Sequence, residues 1–223
     1  MRFHWEHIVG IIGLAILVYG QYYGLVLAPP DRHMGDVARI LFVHVPVAIN
    51  SFAVLGISFV AALGFIVTTK KGFDHVLGAS LEVGVLYTAV LIMQGSIFAR
   101  PTWGVWWTWD PRLTASAVML ITYVSVLILR ALIFEPGVRG MVTSVVTILA
   151  SVTLPITYFS VQLWRSMHQL QSSSMDLGSG FKFGWRVNLT AFFLVAIWLI
   201  VRRYRIAKIA ADNQAPPPLP EAI

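Results

Sequence analysis

Six long apolar runs constrain this chain more than any other feature. They are Ile8–Ala28, Ile40–Val67, Val76–Phe98, Thr114–Phe134, Val142–Leu163 and Arg186–Val201. A helix that crosses a bilayer needs roughly 20 mainly apolar residues. Inside hydrocarbon every backbone N–H and C=O must be satisfied within the segment, so runs of this kind fold as helices. The expected architecture is an all-α polytopic membrane protein, a six-helix transmembrane bundle. Only 12% of the 223 residues are charged, about half the share of a soluble domain. No stretch between the runs is long enough for a separate soluble domain. The first run lacks a small-residue cleavage site and reads as a retained span rather than a signal peptide. Residues 1–201 are expected to form one transmembrane domain. Residues 202–223, ending in APPPLPEAI, read as a disordered cytoplasmic tail.

Basic residues in short loops orient such a bundle. One side holds Arg2, Lys70, Lys71, Arg130, Arg139, Arg202, Arg203, Arg205 and Lys208. The other holds Arg32, Arg39, Arg100, Arg112, Arg165, Lys182 and Arg186. The dense RRYR cluster and the Lys70-Lys71 pair favour cytoplasmic termini. In a membrane chain the net charge of +6 marks topology and lipid contact rather than nucleic-acid binding. The outer loops, near Pro29–Arg39, Ala99–Leu113 and Trp164–Trp185, are the longer ones, and long loops are where function concentrates.

The second outer loop reads WGVWWTWDPRLT. Trp103, Trp106, Trp107 and Trp109 place four of the eight tryptophans within seven residues. A helix through this stretch would put Trp103, Trp106, Trp107 and Asp110 on one face, as an amphipathic shelf along the membrane surface. An aromatic belt at the headgroup level is the simpler explanation for any one of them. A shelf of several suits a large flat apolar ligand. Asp110-Pro111 also fits a helix start, with Asp as N-cap and Pro at the first helical position.

Two histidines stand near this loop. His44 precedes Pro46, which is tolerated in a first helical turn and breaks a helix interior. The second span is therefore expected to begin near Val45, with His44 at its mouth. His168 follows the fifth span, one turn after Trp164 if the helix continues. His4, His7, His33 and His75 read as solvated. Imidazole is the commonest protein ligand to haem iron, and Arg39, Arg100, Arg112 and Arg165 could meet carboxylates in pairs of hydrogen bonds. Haem is one ligand that such a face would suit. Within the spans, Glu82 is an ionisable residue of open role, while Asn50 and Gln94 suit helix–helix hydrogen bonds. The chain has no cysteine, so disulfides and thiolate metal sites are excluded. It carries no motif for ATP hydrolysis or covalent catalysis.

The tryptophan block resembles the WWD signature of haem-handling membrane proteins. Together with LAPPDRHMGDVARILFVHVPVAIN and LPITYFSVQLWRSMHQ, it makes residues 25–170 similar to the cytochrome c maturation protein C (CcmC) family. The resemblance implies a non-catalytic inner-membrane protein of cytochrome c biogenesis. His44 and His168 would be the axial ligands of a transiently held haem b on the periplasmic side. Trp103, Trp106, Trp107, Trp109 and Asp110 would form the platform. Arg100 and Arg112 join them as propionate partners, from charge and proximity. The implied partners are the periplasmic haem chaperone CcmE, the ATP-binding cassette pair CcmA and CcmB, where ATP would be hydrolysed, and the single-span protein CcmD. Tyr158 stands where some relatives carry a histidine. The alternatives are a haem or quinol anchor subunit of a respiratory enzyme, which would want mid-span histidines, and a small-solute transporter, which would want repeated halves and broken mid-span helices.

Overall fold

The computed structural model describes residues 4–31, 34–168 and 179–213. Seven α-helices run through them: α1 Trp5–Tyr22, α2 Leu41–Thr68, α3 Lys71–Trp103, α4 Pro111–Leu132, α5 Pro136–Ala150, α6 Thr153–Leu163 and α7 Ser179–Asn213. A π-helical turn, Tyr23–Leu27, and a 3-10 turn, Asp36–Ile40, link α1 to α2. With α5 and α6 taken together, six helices are long and apolar enough to cross a membrane. The expected six-span, all-α bundle is thus present. Arg32 and His33 lie outside the described residues.

The spans differ from the expectation in three places. First, α7 continues through Asn213, so residues 202–213 are helical rather than a disordered tail; residues 214–223 are outside the described set. The helix can carry its charges because they find partners. Arg203 makes a two-pronged pair with Glu82 of α3, and Arg205 reaches the buried Glu6 of α1 at 2.9 Å. Arg202 contacts His7 at 3.3 Å, and His75 packs edge-on against Tyr204, so neither histidine is a bystander in solvent.

Second, the fifth span breaks at Ser151–Val152. Pro155 is the cause. It has no N–H to give the Ser151 carbonyl, and its ring crowds that carbonyl four residues back. Leu154 N–H takes the Ser151 oxygen instead, at 3.0 Å, and Ser151 and Thr153 hydroxyls bond to the Ile148 and Ala150 carbonyls.

Third, α2 begins at Leu41 rather than Val45 and is preceded by the 3-10 turn, so Pro46 sits inside the helix. Asn50 donates to the Pro46 carbonyl at 2.9 Å and to the Leu189 carbonyl of α7 at 3.3 Å. It thereby stitches two spans together, as its residue type suggested.

Small residues let the helices approach. A Cβ on Gly10 of α1 would lie 2.5 Å from the Trp198 ring of α7, and one on Gly20 would lie 2.8 Å from the Asn188 side chain. This is the small-residue packing that joins helices in lipid. α2 packs most extensively on α3, and α1 packs mainly on α7. Leu55, Leu77, Leu81, Met119 and Tyr123 form one core cluster, and Val47, Val54, Tyr87 and Leu91 another.

Alternation of the helices defines two ends. At the basic end, short connections join α2 to α3 and α4 to α5, and Asp74 pairs with Arg130 at 2.6 Å and Arg139 at 3.6 Å. At the tryptophan end lie the α1–α2 link, the Trp103–Asp110 segment and the stretch after α6.

Candidate functional site

At the tryptophan end, α3 stops at Trp103 because Gly104 takes a left-handed conformation, φ +78°, and its N–H returns to the Arg100 carbonyl at 3.0 Å. Glycine is the residue that adopts this C-terminal turn without steric cost. The chain then runs without helix until Pro111. The amphipathic helix expected for the tryptophan block therefore does not form, and its tryptophans separate. Trp103 and Trp107 are partly buried and line a cavity. Trp106 and Trp109 are 60% and 81% exposed and do not line it. Trp109 packs edge-on against Trp107, with ring centroids 5.9 Å apart.

Asp110 caps α4 by accepting the Arg112 N–H at 2.9 Å, as its position before Pro111 implied. It does more than that. The same buried carboxylate accepts the Ser166 hydroxyl at 2.9 Å and the Met167 N–H at 2.7 Å, and its Oδ1 faces His168 Nδ1 at 3.4 Å. Burial works against its charge, but the Met167, Ser166 and Arg112 donors prevail and hold its pKa below the ordinary value. These bonds also explain the path after α6. The helix ends at Leu163, and Trp164 is extended and half-exposed. The expected helical stacking of Trp164 and His168 is replaced by a chain that folds back onto Asp110.

His168 packs edge-on against Trp103, with centroids 5.2 Å apart. Burial lowers its pKa; Asp110 pulls upward and Arg112 downward, and the net shift keeps the imidazole neutral at pH 7. A neutral imidazole has a free lone pair for a metal. His44 projects from the first turns of α2 and is largely enclosed by the bundle rather than sitting at a helix mouth. Its Nδ1 is buried and has no hydrogen-bond partner. Its Cε1 faces α3 at Gly95, where a Cβ would come within 3.3 Å.

Both histidines line one cavity of about 670 Å³ between α2, α3, α4, α6 and the start of α7. That volume falls within the roughly 300–1,000 Å³ of small-ligand sites. Its walls are chiefly apolar, with Phe52, Phe98, Trp103, Trp107, Phe181 and Trp185 supplying rings. Two imidazoles on one aromatic cavity, each with a buried Nδ1 that has no hydrogen-bond partner, fit a flat metalloporphyrin. Among the described residues no cluster of three or more His, Asp and Glu could hold a bare metal ion.

The arginines divide. Arg112 lines the cavity, and its Nη1 donates to the Thr157 and Tyr158 carbonyls of α6 at 2.7 and 3.0 Å. Arg100 is exposed, bonds the Gly104 carbonyl and is not part of the cavity wall. Arg39 is tied to Asp36 at 2.8 Å and to the Gly24 carbonyl at 3.0 Å. Arg165 lies on the exposed stretch after α6. Sequence reasoning missed Gly95, Phe181 and Trp185. Trp185 stood out only as one more outer-loop tryptophan, and Gly95 as a small residue in an apolar run.

Comparison with known proteins agrees with this architecture. The family model described as heme exporter protein C (CcmC) matches residues 2–217. A heme exporter protein C of Haemophilus influenzae is 32% identical over 207 residues, covering 91% of this chain and 84% of its own length. Its Escherichia coli K12 namesake is 29% identical over 211 residues, covering 93% and 85%. The one from Bradyrhizobium diazoefficiens is 31% identical over 199 residues, covering 87% and 74%. A six-span bundle matched along nearly its whole length by this family belongs to it: the chain is a multi-pass membrane protein of the heme exporter protein C family.

Proposed function

We propose that this protein holds haem at the periplasmic end of the bacterial inner membrane and presents it for cytochrome c biogenesis. The observation that carries the reading is the convergence of His44 and His168 on one aromatic cavity. His44 would supply one axial imidazole and His168 the other. Trp103 and Trp107 would bear on the porphyrin from the cavity wall. Trp106 and Trp109, exposed at the surface, would face the protein that receives the haem. Asp110 fixes the loop that carries His168, and the cation of Arg112 on the cavity wall would take a propionate.

Bound haem would supply an iron centre that the imidazoles of His44 and His168 would hold. The chain's own residues then do the selecting. The aromatic wall would exclude water from the ring faces, and the Asp110 carboxylate, 3.4 Å from Nδ1, would hold the His168 imidazole in place. The protein itself performs no bond-making step. The expected recipient is the haem chaperone CcmE. ATP hydrolysis would occur in the cassette pair CcmA and CcmB, with CcmD as a further small subunit. The basic end, rich in Arg202, Arg203 and Arg205, would face the cytoplasm.

The test is an absorption spectrum of the protein purified in detergent after expression with those partners. A Soret band with low-spin, bis-imidazole features is expected. His44→Ala and His168→Ala should each change the spectrum while the protein still inserts. A complete lack of Soret absorption would sink the reading.

A further inference from the structure

Gln94 of α3 places an amide inside a membrane span, and its Oε1 is buried with no hydrogen-bond partner. Buried polar atoms are paired almost without exception, so an unpaired one calls for an explanation. A second orphan stands on the neighbouring helix. His44 Nδ1 of α2 is also buried and unpartnered. The two atoms are chemically complementary, because an amide oxygen only accepts and an imidazole nitrogen can carry a proton to donate.

They also stand at one level. A Cβ on Gly84 of α3 would meet Leu55 of α2, and one on Gly95 would meet His44 Cε1 at 3.3 Å, so His44 lies across from Gly95. Gln94 is the adjacent residue, and consecutive Cα atoms are about 3.8 Å apart. Leu91 and Phe98, three before Gln94 and four after it, both line the cavity with His44. Residues at that spacing share a helix face, so Gln94 backs the cavity wall without being part of its lining. The other polar groups of this wall are committed. Ser96 and Ser116 hydroxyls donate to the Ile92 and Arg112 carbonyls at 3.1 and 2.9 Å, Thr102 donates to the Phe98 carbonyl, and the Arg112 guanidinium has donors only.

We propose that Gln94 is the positioning residue of His44: its amide oxygen accepts the Nδ1–H and leaves Nε2 bare for the cavity. The proposal rests on the haem reading. A glutamine amide on its flexible stem can turn onto the ring while both helices stay in place. A metal-ligating imidazole almost always gives its other N–H to a carboxylate, a carbonyl or water, which fixes the tautomer and the ring orientation. His168 has the Asp110 carboxylate 3.4 Å from its Nδ1. Gln94 supplies the counterpart for His44. A neutral amide suits the place, because a carboxylate inside a span is expensive. The two imidazoles are therefore unequal donors, one backed by a charge on a loop and the other by an amide within a helix.

The first measurement is made on the unaltered full chain, free of haem, in detergent and labelled with heavy nitrogen at histidine. Nitrogen NMR, with the His44 signals assigned by their loss in His44→Ala, should find His44 as the Nδ1–H tautomer. An Nε2–H tautomer overturns the assignment. The second measurement is a haem titration in nanodiscs, followed by the Soret band. Gln94→Leu keeps an apolar side chain of similar size and removes the acceptor, and it should weaken haem binding about tenfold. On a His44→Ala background the same substitution should cost nothing further, because the pair is already broken. A folded Gln94→Leu protein with unchanged affinity overturns the assignment and leaves the haem reading intact. An equal loss on both backgrounds does the same, and makes Gln94 a packing residue. If Gln94→Leu does not fold, the tautomer in the unaltered chain decides. Unaltered protein that takes up no haem removes both readings.

Discussion

The carboxylate of Asp110 lies 3.4 Å from the Nδ1 of His168 while it caps α4 through the Arg112 amide. One side chain thus joins the start of a span to the orientation of a candidate iron ligand. Partners of this kind are typically worth 10–100-fold in metal affinity. Asp110→Asn preserves a good cap but removes the charge. It should lower the melting temperature in detergent modestly, because an amide cannot satisfy all three donors now held by the carboxylate, and weaken haem retention by about tenfold. Asp110→Ala should also cost about 1 kcal/mol of stability from the lost cap. Haem titration and thermal unfolding separate the two effects.

Acidification should read out the same carboxylate. Its pKa is lowered in the folded protein, so its stabilising contribution is present above the unfolded value of about 3.9. That contribution disappears as pH falls through the lower folded value. Hydrogen exchange at Met167, whose amide donates to Asp110, should therefore stay protected at pH 5 and accelerate only below about pH 4. In Asp110→Asn the change across this range should be absent.

The tryptophans should not behave as a set. Trp103→Ala and Trp107→Ala remove cavity wall and should reduce haem retention. Trp106→Ala and Trp109→Ala remove exposed rings and should leave retention intact while slowing delivery to the proposed recipient chaperone. Retention and transfer assays on the four variants check this. Uniform loss of retention across all four would return the block to a single shelf.

Gly95 should be intolerant of size. A Cβ there meets His44 Cε1 at 3.3 Å, a gap that a few tenths of an ångström of ring movement would relieve. Gly95→Ala should retain a wild-type spectrum. Gly95→Leu forces the imidazole aside and should give a spectrum like that of His44→Ala, with overpacking costing roughly 1–3 kcal/mol.

Two of the acidic anchors at the basic end, Asp74 and Glu82, should differ. Asp74 is buried and paired with Arg130, so Asp74→Ala strands a cation and should destabilise by roughly 3–5 kcal/mol. Glu82 and Arg203 have side chains 40% and 46% exposed, so Glu82→Gln should cost under about 1 kcal/mol. Thermal unfolding in detergent compares them.

Much of the fold was legible because lipid leaves few options. Apolar length alone located the six spans, and side alternation brought His44 and His168 to one end. Local chemistry was legible too, since Asp110-Pro111 signalled the cap it forms. The misses have specific causes. Pro155 was visible, yet hydropathy alone carries no sign of a broken backbone. The RRYR charges marked an end of apolarity but not of helix, because Glu6 and Glu82, distant in sequence, receive them. The shelf failed at Gly104, whose left-handed turn ends α3 before the second tryptophan. Asp110's hold on Met167 and His168 spans more than fifty residues of sequence, beyond the reach of any periodicity.

The glycine face of α1 also bears on how the molecule is made. Its partner is α7, five spans later in the sequence, and Glu6 waits for Arg205. α1 must sit in the bilayer with its groove unfilled until α7 has been made. Chains truncated before Trp198 should therefore be recognised by quality-control proteases through an unlatched N-terminus.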